Sequence, residues 1–250
     1  MGTWPPFGRQ GDQISLYDEL ADWFHLLTAP ADYAEEAAAI LDLLRENVEG
    51  RFETLLELGS GGGNTASHLR AHLRLTLTDI APAMLEVSRR LNPDCEHLVG
   101  DMRSLRLGRS FDAVLVHDAI NYTTTAADLR AALTTAFVHL RPGGAALVCP
   151  DWVRETWQAG TEHGGHDGIG RALRYVEWTY DPDPGNTSYI ADIAMLLREG
   201  PAAVRVRYDR HLQGLFPRAT WLDLLREVGF APSQLEARWG RDVFLGRRLA

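Results

Sequence analysis

The sequence holds no lysine, and its 25 basic residues are all arginine. That absence excludes Schiff-base chemistry and any phosphate loop built on a Gly-Lys pair. Basic charge is scarce overall. Set against 34 acidic residues it leaves a net charge of −9, so nucleic acid, which needs clustered cations, is not expected as the main partner. Cysteine is nearly missing too. Cys95 and Cys149 sit singly at the edges of apolar runs, with no metal-ligand spacing and no disulfide framework, and read as reduced core thiols. No run approaches the roughly 18 apolar residues of a membrane span, and the opening M-G-T-W-P-P-F-G-R-Q-G-D lacks the apolar stretch of a signal peptide. A cytoplasmic protein without a membrane partner is the expectation. What is present is ordinary for a globular chain: 45% hydrophobic and 24% charged residues over 250 positions. That is enough for one well-buried domain with an insertion, or for two small domains.

The chain is organised around residues 52–64, F-E-T-L-L-E-L-G-S-G-G-G-N. Residues 52–58 read as a buried strand with Glu57 near its end, and residues 64–73 as the following helix. Between them Gly59, Gly61 and Gly63 allow the backbone to lie against a ligand where a Cβ would intrude. The helix start adds free N–H groups and the positive end of its dipole. A dinucleotide fingerprint would read G-x-G-x-x-G, but its third glycine position is Asn64, which disfavours an NAD-linked oxidoreductase.

From the amino terminus, residues 1–13 are rich in Pro and Gly and suggest a mobile arm. Residues 14–27, I-S-L-Y-D-E-L-A-D-W-F-H-L-L, are either a helix on the core or a lid. An amphipathic helix follows through about residue 47. After the glycine turn, residues 73–78 alternate as a second strand ending at Asp79, with Pro82 opening a helix. Asp79 lies at the distance where an acidic residue takes both hydroxyls of a ribose, although an aspartate is also a favoured N-cap. A third unit ends in H-L-V-G-D-M, and F-D-A-V-L-V-H-D-A-I-N-Y is strand four running into a loop. Residues 125–140 form a helix stopped by R-P-G-G, which leads into strand five. Such alternation implies parallel strands with right-handed crossovers, and ligands in such sheets bind at the carboxyl ends of the strands.

The E-x-G-x-G-x-G at residues 57–63 resembles the first motif of class I S-adenosylmethionine (SAM) dependent methyltransferases. So do the G-D-M at residues 100–102 and the helix, R-P-G-G and strand. The Tyr17-Asp18 pair ahead of the glycine turn resembles small-molecule members of that family. Together with the lobe described below, it is similar to amino-sugar N-methyltransferases. The resemblance implies SAM as cofactor and a doubly wound, seven-stranded, mostly parallel α/β sheet with an inserted antiparallel β lobe. It implies cofactor contacts at Tyr17, Glu57, Gly59, Ser60, Gly61, Gly63, Asp79, Ile80, Asp101, Met102 and His117. A non-catalytic SAM-binding module is the competing class.

Past Pro150 the character changes. Residues 151–170 read as a loop, followed by turn-separated runs that suggest about three antiparallel strands, the middle one open to a helical reading. A last helix covers residues 220–229, and a hairpin of residues 234–238 and 243–248 closes the core sheet. The expected division is lid plus SAM-binding core at 1–150, acceptor lobe at 151–216 and carboxyl-terminal completion at 217–250, with a homodimer as a further expectation. His163, His166, Asp167 and His211 match no metal signature, and no metal is expected. Methyl transfer from a sulfonium asks mainly for alignment and desolvation. An amine acceptor needs no strong base, whereas a hydroxyl is helped by one. Tyr17, His117, Asp118 and His166 are the catalytic candidates, and Trp23, Tyr122, Trp152, His163 and His166 the candidates for touching a small-molecule acceptor.

Overall fold

A computed structural model describes residues 14–236 and 240–249. Its first half builds strands β1 (Thr54–Leu58), β2 (Arg74–Asp79), β3 (Glu96–Val99), β4 (Phe111–Val116) and β5 (Leu140–Val148). The run T-L-L-E-L and its counterpart F-D-A-V-L-V carry apolar side chains on both faces, and such strands are stable only with helices covering both sides. Those helices are α2 (Ala34–Asn47), α3 (Asn64–Leu69), α4 (Pro82–Leu91), α5 (Ala126–Val138) and α6 (Arg218–Val228), preceded by the single turn α1 (Phe24–Leu27). Helix α2 buries Ala37, Ile40, Leu41 and Leu44 as one stripe. Helix α5 starts at Thr125, whose Oγ1 accepts from the Asp128 amide, and α6 stops at Gly229 in the left-handed region.

The seven-stranded sheet runs β11-β12-β5-β4-β1-β2-β3. Strands β1 to β5 are parallel, while β12 (Asp242–Arg247) is antiparallel to both β5 and β11 (Ala231–Glu236). The strand order reverses between β1 and β4, and that reversal opens a crevice above their carboxyl ends.

Between β5 and α6 a second, five-stranded antiparallel sheet is inserted, ordered β10-β9-β8-β6 with β7 paired to β8. Its long strands are β8 (Arg171–Tyr180), β9 (Ser188–Glu199) and β10 (Arg205–Gly214). They alternate: Leu173, Ile193, Met195, Leu197, Asp209 and His211 face the core, and the even-numbered residues face outward except near strand ends, where Ala172 and Gly214 are buried.

Several sequence expectations change in detail. The segment expected as a loop holds two short strands, β6 (Gly160–Gly164) and β7 (Asp167–Gly168), because its register on β8 satisfies their backbone groups. The segment left open between helix and strand is β9. R-P-G-G does not stop a helix. Helix α5 ends at Val138, and residues 141–144 lie within β5, where the pairing with β4 shifts register and Arg141 Nε bonds Asp112 Oδ1 at 2.7 Å. The amino-terminal arm and the end of the first hairpin strand, residues 237 and 238, lie outside the described residues. No helix among the described residues is long and apolar enough to cross a membrane.

Candidate active site

A cavity of about 580 Å³ sits at the reversal point, roofed by residues 14–33 and by the inner face of the lobe. Its floor is the glycine turn. Gly61 has φ +52°, and a Cβ built there would meet nothing nearer than Met84 at 3.7 Å, so the space in front of it is open. Gly59, which also lines the cavity, and Gly63 permit close packing. A Cβ at Gly59 would lie 2.3 Å from that of Ala119, and one at Gly63 would lie 2.3 Å from Asn92 and Ser88. Gly63, expected against the ligand, instead stands behind the cavity wall and admits helix α4.

Glu57 closes the inner end of the turn. It is 2% exposed, its Oε2 has no partner, and burial pushes its carboxyl up to about 7 despite the attraction of His117. The neighbouring Ser60 hydroxyl is likewise buried without a partner. Across the turn, Asp79 Oδ2 accepts from the Gly61 amide and Oδ1 from the Ala81 amide, each at 2.8 Å. Asp79 therefore braces the turn and caps the approach to α4 while each oxygen keeps a further lone pair. Burial raises its pKa. Ile80, largely exposed, and Met102 also line this end. Asp101 lines it too, but Arg103 grips both its oxygens and, ahead of burial, holds its pKa below the ordinary value.

The other half of the cavity is acidic and hydroxylated. Tyr17 reaches it from the lid, which Asp209 of β10 anchors by accepting from Ser15 N, Ser15 Oγ and Leu16 N. Phe24 and His25 rest on Gly62, with His25 Nε2 3.1 Å from its carbonyl. Tyr17 Oη is 2.8 Å from Tyr122 Oη. His117 follows β4, with Nε2 2.9 Å from Glu36 Oε1 and Nδ1 3.3 Å from Asp118 Oδ2. Burial alone would lower its pKa, but Asp118 and then Glu36 outweigh this and raise it well above the ordinary value. An imidazolium clamped between two carboxylates has no lone pair left, so the general-base role expected for His117 is corrected to a structural cation. Asp118, also a catalytic candidate, is held low by His117 and Arg241 against its own burial. Arg241 bridges Asp118 Oδ1 and Asp151 Oδ1, each at 2.9 Å. Burial, and then the Asp118 charge, push the Asp151 pKa upward.

Four expected acceptor contacts fall elsewhere. Trp23 packs in the lid–lobe core with Leu173, Ile193 and Met195, the Arg171 guanidinium 3.9 Å over its ring. Trp152 is surface-exposed and His163 is an outward residue of β6. His166, also a catalytic candidate, ties the lobe to the lid through its amide to Leu26 O and its Nε2 to Asp32. None of the four lines the cavity; for His163 the reason is that the expected loop is a strand whose register turns it outward. Tyr122 alone of that group does.

In their place stand residues the sequence reading missed: Tyr33, Asp151, Tyr175, Glu177, Gln213 and Arg241, with His211 seen only as a possible metal ligand. Glu177 is raised to about 7 by burial and then by Glu162 on the adjoining strand. Its signal was available, since Y-V-E-W-T puts Glu177 on the same face as Tyr175. Among the described residues no group of three or more His, Cys, Asp or Glu is arranged to hold a metal.

A reversal-point cavity whose floor is an acidic strand end, an open glycine turn and a strand-two aspartate defines a class I methyltransferase. The orphaned Glu57 and Ser60 oxygens and the open space at Gly61 fit the polar, cationic end of SAM. The family model described as "Methyltransferase domain" matches residues 55–144. The chain is 31% identical over 239 residues to the dTDP-3-amino-3,4,6-trideoxy-alpha-D-glucopyranose N,N-dimethyltransferase of Streptomyces venezuelae, covering 94% of this chain and 97% of that one. Among solved structures, Streptomyces venezuelae DesVI superposes with a TM-score of 0.82 at 28% identity, over 93% of this chain and 98% of the other. A SAM-bound amino pentose methyltransferase from Micromonospora echinaspora, involved in calicheamicin biosynthesis, gives 0.75 at 26%, over 86% and 91%. The chain belongs to the SAM-dependent methyltransferases. It transfers a methyl group from SAM to nitrogen or oxygen of a small-molecule acceptor.

Proposed function

We propose that the acceptor is the amine of a nucleotide-linked amino sugar, methylated at nitrogen. The observation that carries this reading is the state of the acceptor half of the cavity. His117 is held as a cation between Glu36 and Asp118, while carboxyls and tyrosine hydroxyls line the walls. An amine arrives as a cation that an acidic pocket draws in and, once it has lost that proton, needs no further base, whereas a hydroxyl must be deprotonated as it reacts. The dTDP-amino-sugar substrates in the relatives' names agree.

When bound, SAM supplies a methyl group activated on a sulfonium. Glu57 and the turn at Gly59, Ser60 and Gly61 would hold its amino-acid end, Asp79 its ribose, and Asp101, Met102 and Ile80 its base. Tyr17 closes over the junction of the two halves, and the lobe residues Tyr175, Glu177 and Gln213 orient the acceptor and exclude water. The purified protein should add one and then two methyl groups to dTDP-3-amino-3,4,6-trideoxyglucose, followed by mass spectrometry. Methylation of the corresponding 3-hydroxy sugar but not the amine would overturn the nitrogen assignment.

The outer face of the lobe supports a homodimer. Val176, Trp178, Leu196, Val206, Tyr208 and Leu212 all lie on that face and are 39–60% exposed. Together they present on the order of 600 Å² of side chain, the upper end for a monomer's largest patch. Flanking polar side chains bring the face near the roughly 800 Å² per partner of a standard interface. Its central charges, Asp192 and Arg210, already pair with each other at 2.7 Å, so a second copy meets no unmatched charge there. Trp178→Glu should convert a dimer in light scattering to a monomer with unchanged SAM affinity. A wild-type monomer at micromolar concentration would refute the pairing. The acidic charge and the free thiols Cys95 and Cys149 support a cytoplasmic enzyme.

A further inference from the structure

His211 takes no part in the site as described so far, although it lines the cavity roof and is 2% exposed. Its Nδ1 is 2.5 Å from Tyr122 Oη, which in turn is 2.8 Å from Tyr17 Oη. The Tyr17 ring stands edge-on to both partners, 5.8 Å from the His211 ring and 5.9 Å from that of Tyr122. Gln213, which accepts from Tyr189 Oη, lines the same wall of the cavity.

We infer that His211 is a positioning residue. By accepting the Tyr122 proton it sets the direction of a hydroxyl relay, so that Tyr17 turns a lone pair, and no proton, toward the acceptor. A phenol is the stronger acid and an imidazole nitrogen the stronger base, so the short contact is a Tyr122 O–H donated to Nδ1. Each tyrosine has one proton. With that of Tyr122 spent on His211, the 2.8 Å contact is a Tyr17 O–H donated to Tyr122, and Tyr17 has no proton left. Tyr122 then donates to His211 and accepts from Tyr17, and the remaining ring proton of His211 sits on Nε2, which is buried with no partner. Burial lowers the His211 pKa against the pull of Asp209 and Asp192, and the neutral ring is the form this direction needs.

The consequence rests on the reading that the acceptor is an amine. A nitrogen that is to take a methyl group must keep its lone pair free. A tyrosine proton aimed at it would occupy that pair, whereas a tyrosine lone pair binds an N–H and leaves the nitrogen pair clear. The same arrangement serves a second methylation once the methylammonium product has released its proton to solvent, because the neutral monomethylamine still has one N–H.

The direction is read without turnover by 15N NMR of histidine-labelled enzyme, with the His211 signals assigned by their loss in His211→Asn. We expect Nδ1 unprotonated and Nε2 protonated; the reverse tautomer overturns the relay. Turnover of SAM with the dTDP-3-amino sugar then tests the consequence. Tyr17→Phe and His211→Leu should each lower kcat roughly ten- to hundredfold with KM changed less than threefold. The double variant should be no worse than Tyr17→Phe alone, and His211→Asn, which keeps an acceptor atom near the Nδ1 position, should recover most of the loss. Wild-type kcat in a folded His211→Leu protein, or additive losses in the double variant, would refute it. Should His211→Leu fail to fold, Tyr122→Phe breaks the same relay and is expected to give the same kcat. If the wild type leaves the amine unmethylated, the acceptor assignment fails, and the NMR result still decides the relay.

Discussion

Glu57 is the residue whose ionisation most directly links fold and cofactor. Its carboxyl, ordinarily near 4.5, is lifted to about 7 by burial, and Oε2 has no partner. The gap corresponds to about 3 kcal/mol between the charged and neutral forms. Because the folded-state pKa is raised, the protonated form is the one the fold favours. The unliganded protein is stabilised fully below about pH 4.5 and loses that contribution as pH rises through about 7. A bound cation works the other way, since it pairs with the ionised form. SAM affinity should therefore be level above about pH 7.5 and fall by up to about tenfold per pH unit below 7. Glu57→Gln removes both effects. Its unliganded melting temperature at pH 8 should exceed that of the wild type by several degrees, at most roughly 10 °C for about 3 kcal/mol in a chain of this size. Its SAM affinity should be ten- to a hundredfold weaker at pH 8 and nearly flat between pH 5.5 and 7. Titration calorimetry from pH 5.5 to 8.5 on both proteins, with parallel melts, measures this, and titration of the ligand itself cancels in the ratio. Equal affinities, or a wild-type affinity that ignores pH below 7, would refute the role given to Glu57.

Gly61→Val should fold with only the strain of its positive φ, about 1–2 kcal/mol, yet lose SAM binding in calorimetry, because the open space in front of the residue is the ligand's. Asp79→Ala should weaken SAM by roughly tenfold or more and loosen the turn, since Asp79 also holds the Gly61 and Ala81 amides; a loss under twofold would leave it only that bracing role. Glu177→Ala should raise the acceptor KM by about tenfold with SAM affinity unchanged, as expected for one charge-assisted contact. Trp152→Ala and His163→Ala should leave that KM within twofold, and a larger effect in steady-state kinetics would bring the lobe's outer surface back into the site.

Much of the cofactor half was legible because its determinants are local. The strand, turn and helix around Glu57 and Gly61 are neighbours in the chain, and Asp79 and Asp101 sit at the ends of strands whose periodicity marks them. The acceptor half was read less well. The candidates His163 and His166 came from a segment taken to be a loop, but hydrogen bonding to β8 makes much of it strand and turns His163 outward. Strand β9 resisted assignment for a different reason: Ile190 and Leu196 make its outer face apolar as well, which blurs the two-residue period.

By itself the sequence determined the doubly wound core, the order of its strands' ligand-bearing ends and the kind of cofactor they hold. Hydrophobic period, turn chemistry and the acid before the glycines act over a few residues each. Only the tertiary structure decided the protonation of the site. His117 is an imidazolium because Glu36, 81 residues away, closes on it from the side opposite Asp118. Asp118 is held low in part because Arg241, 123 residues beyond it, is brought between it and Asp151 by the last hairpin. Charge interactions fall off with distance in space and depend on desolvation, and neither quantity exists for a chain until it has folded.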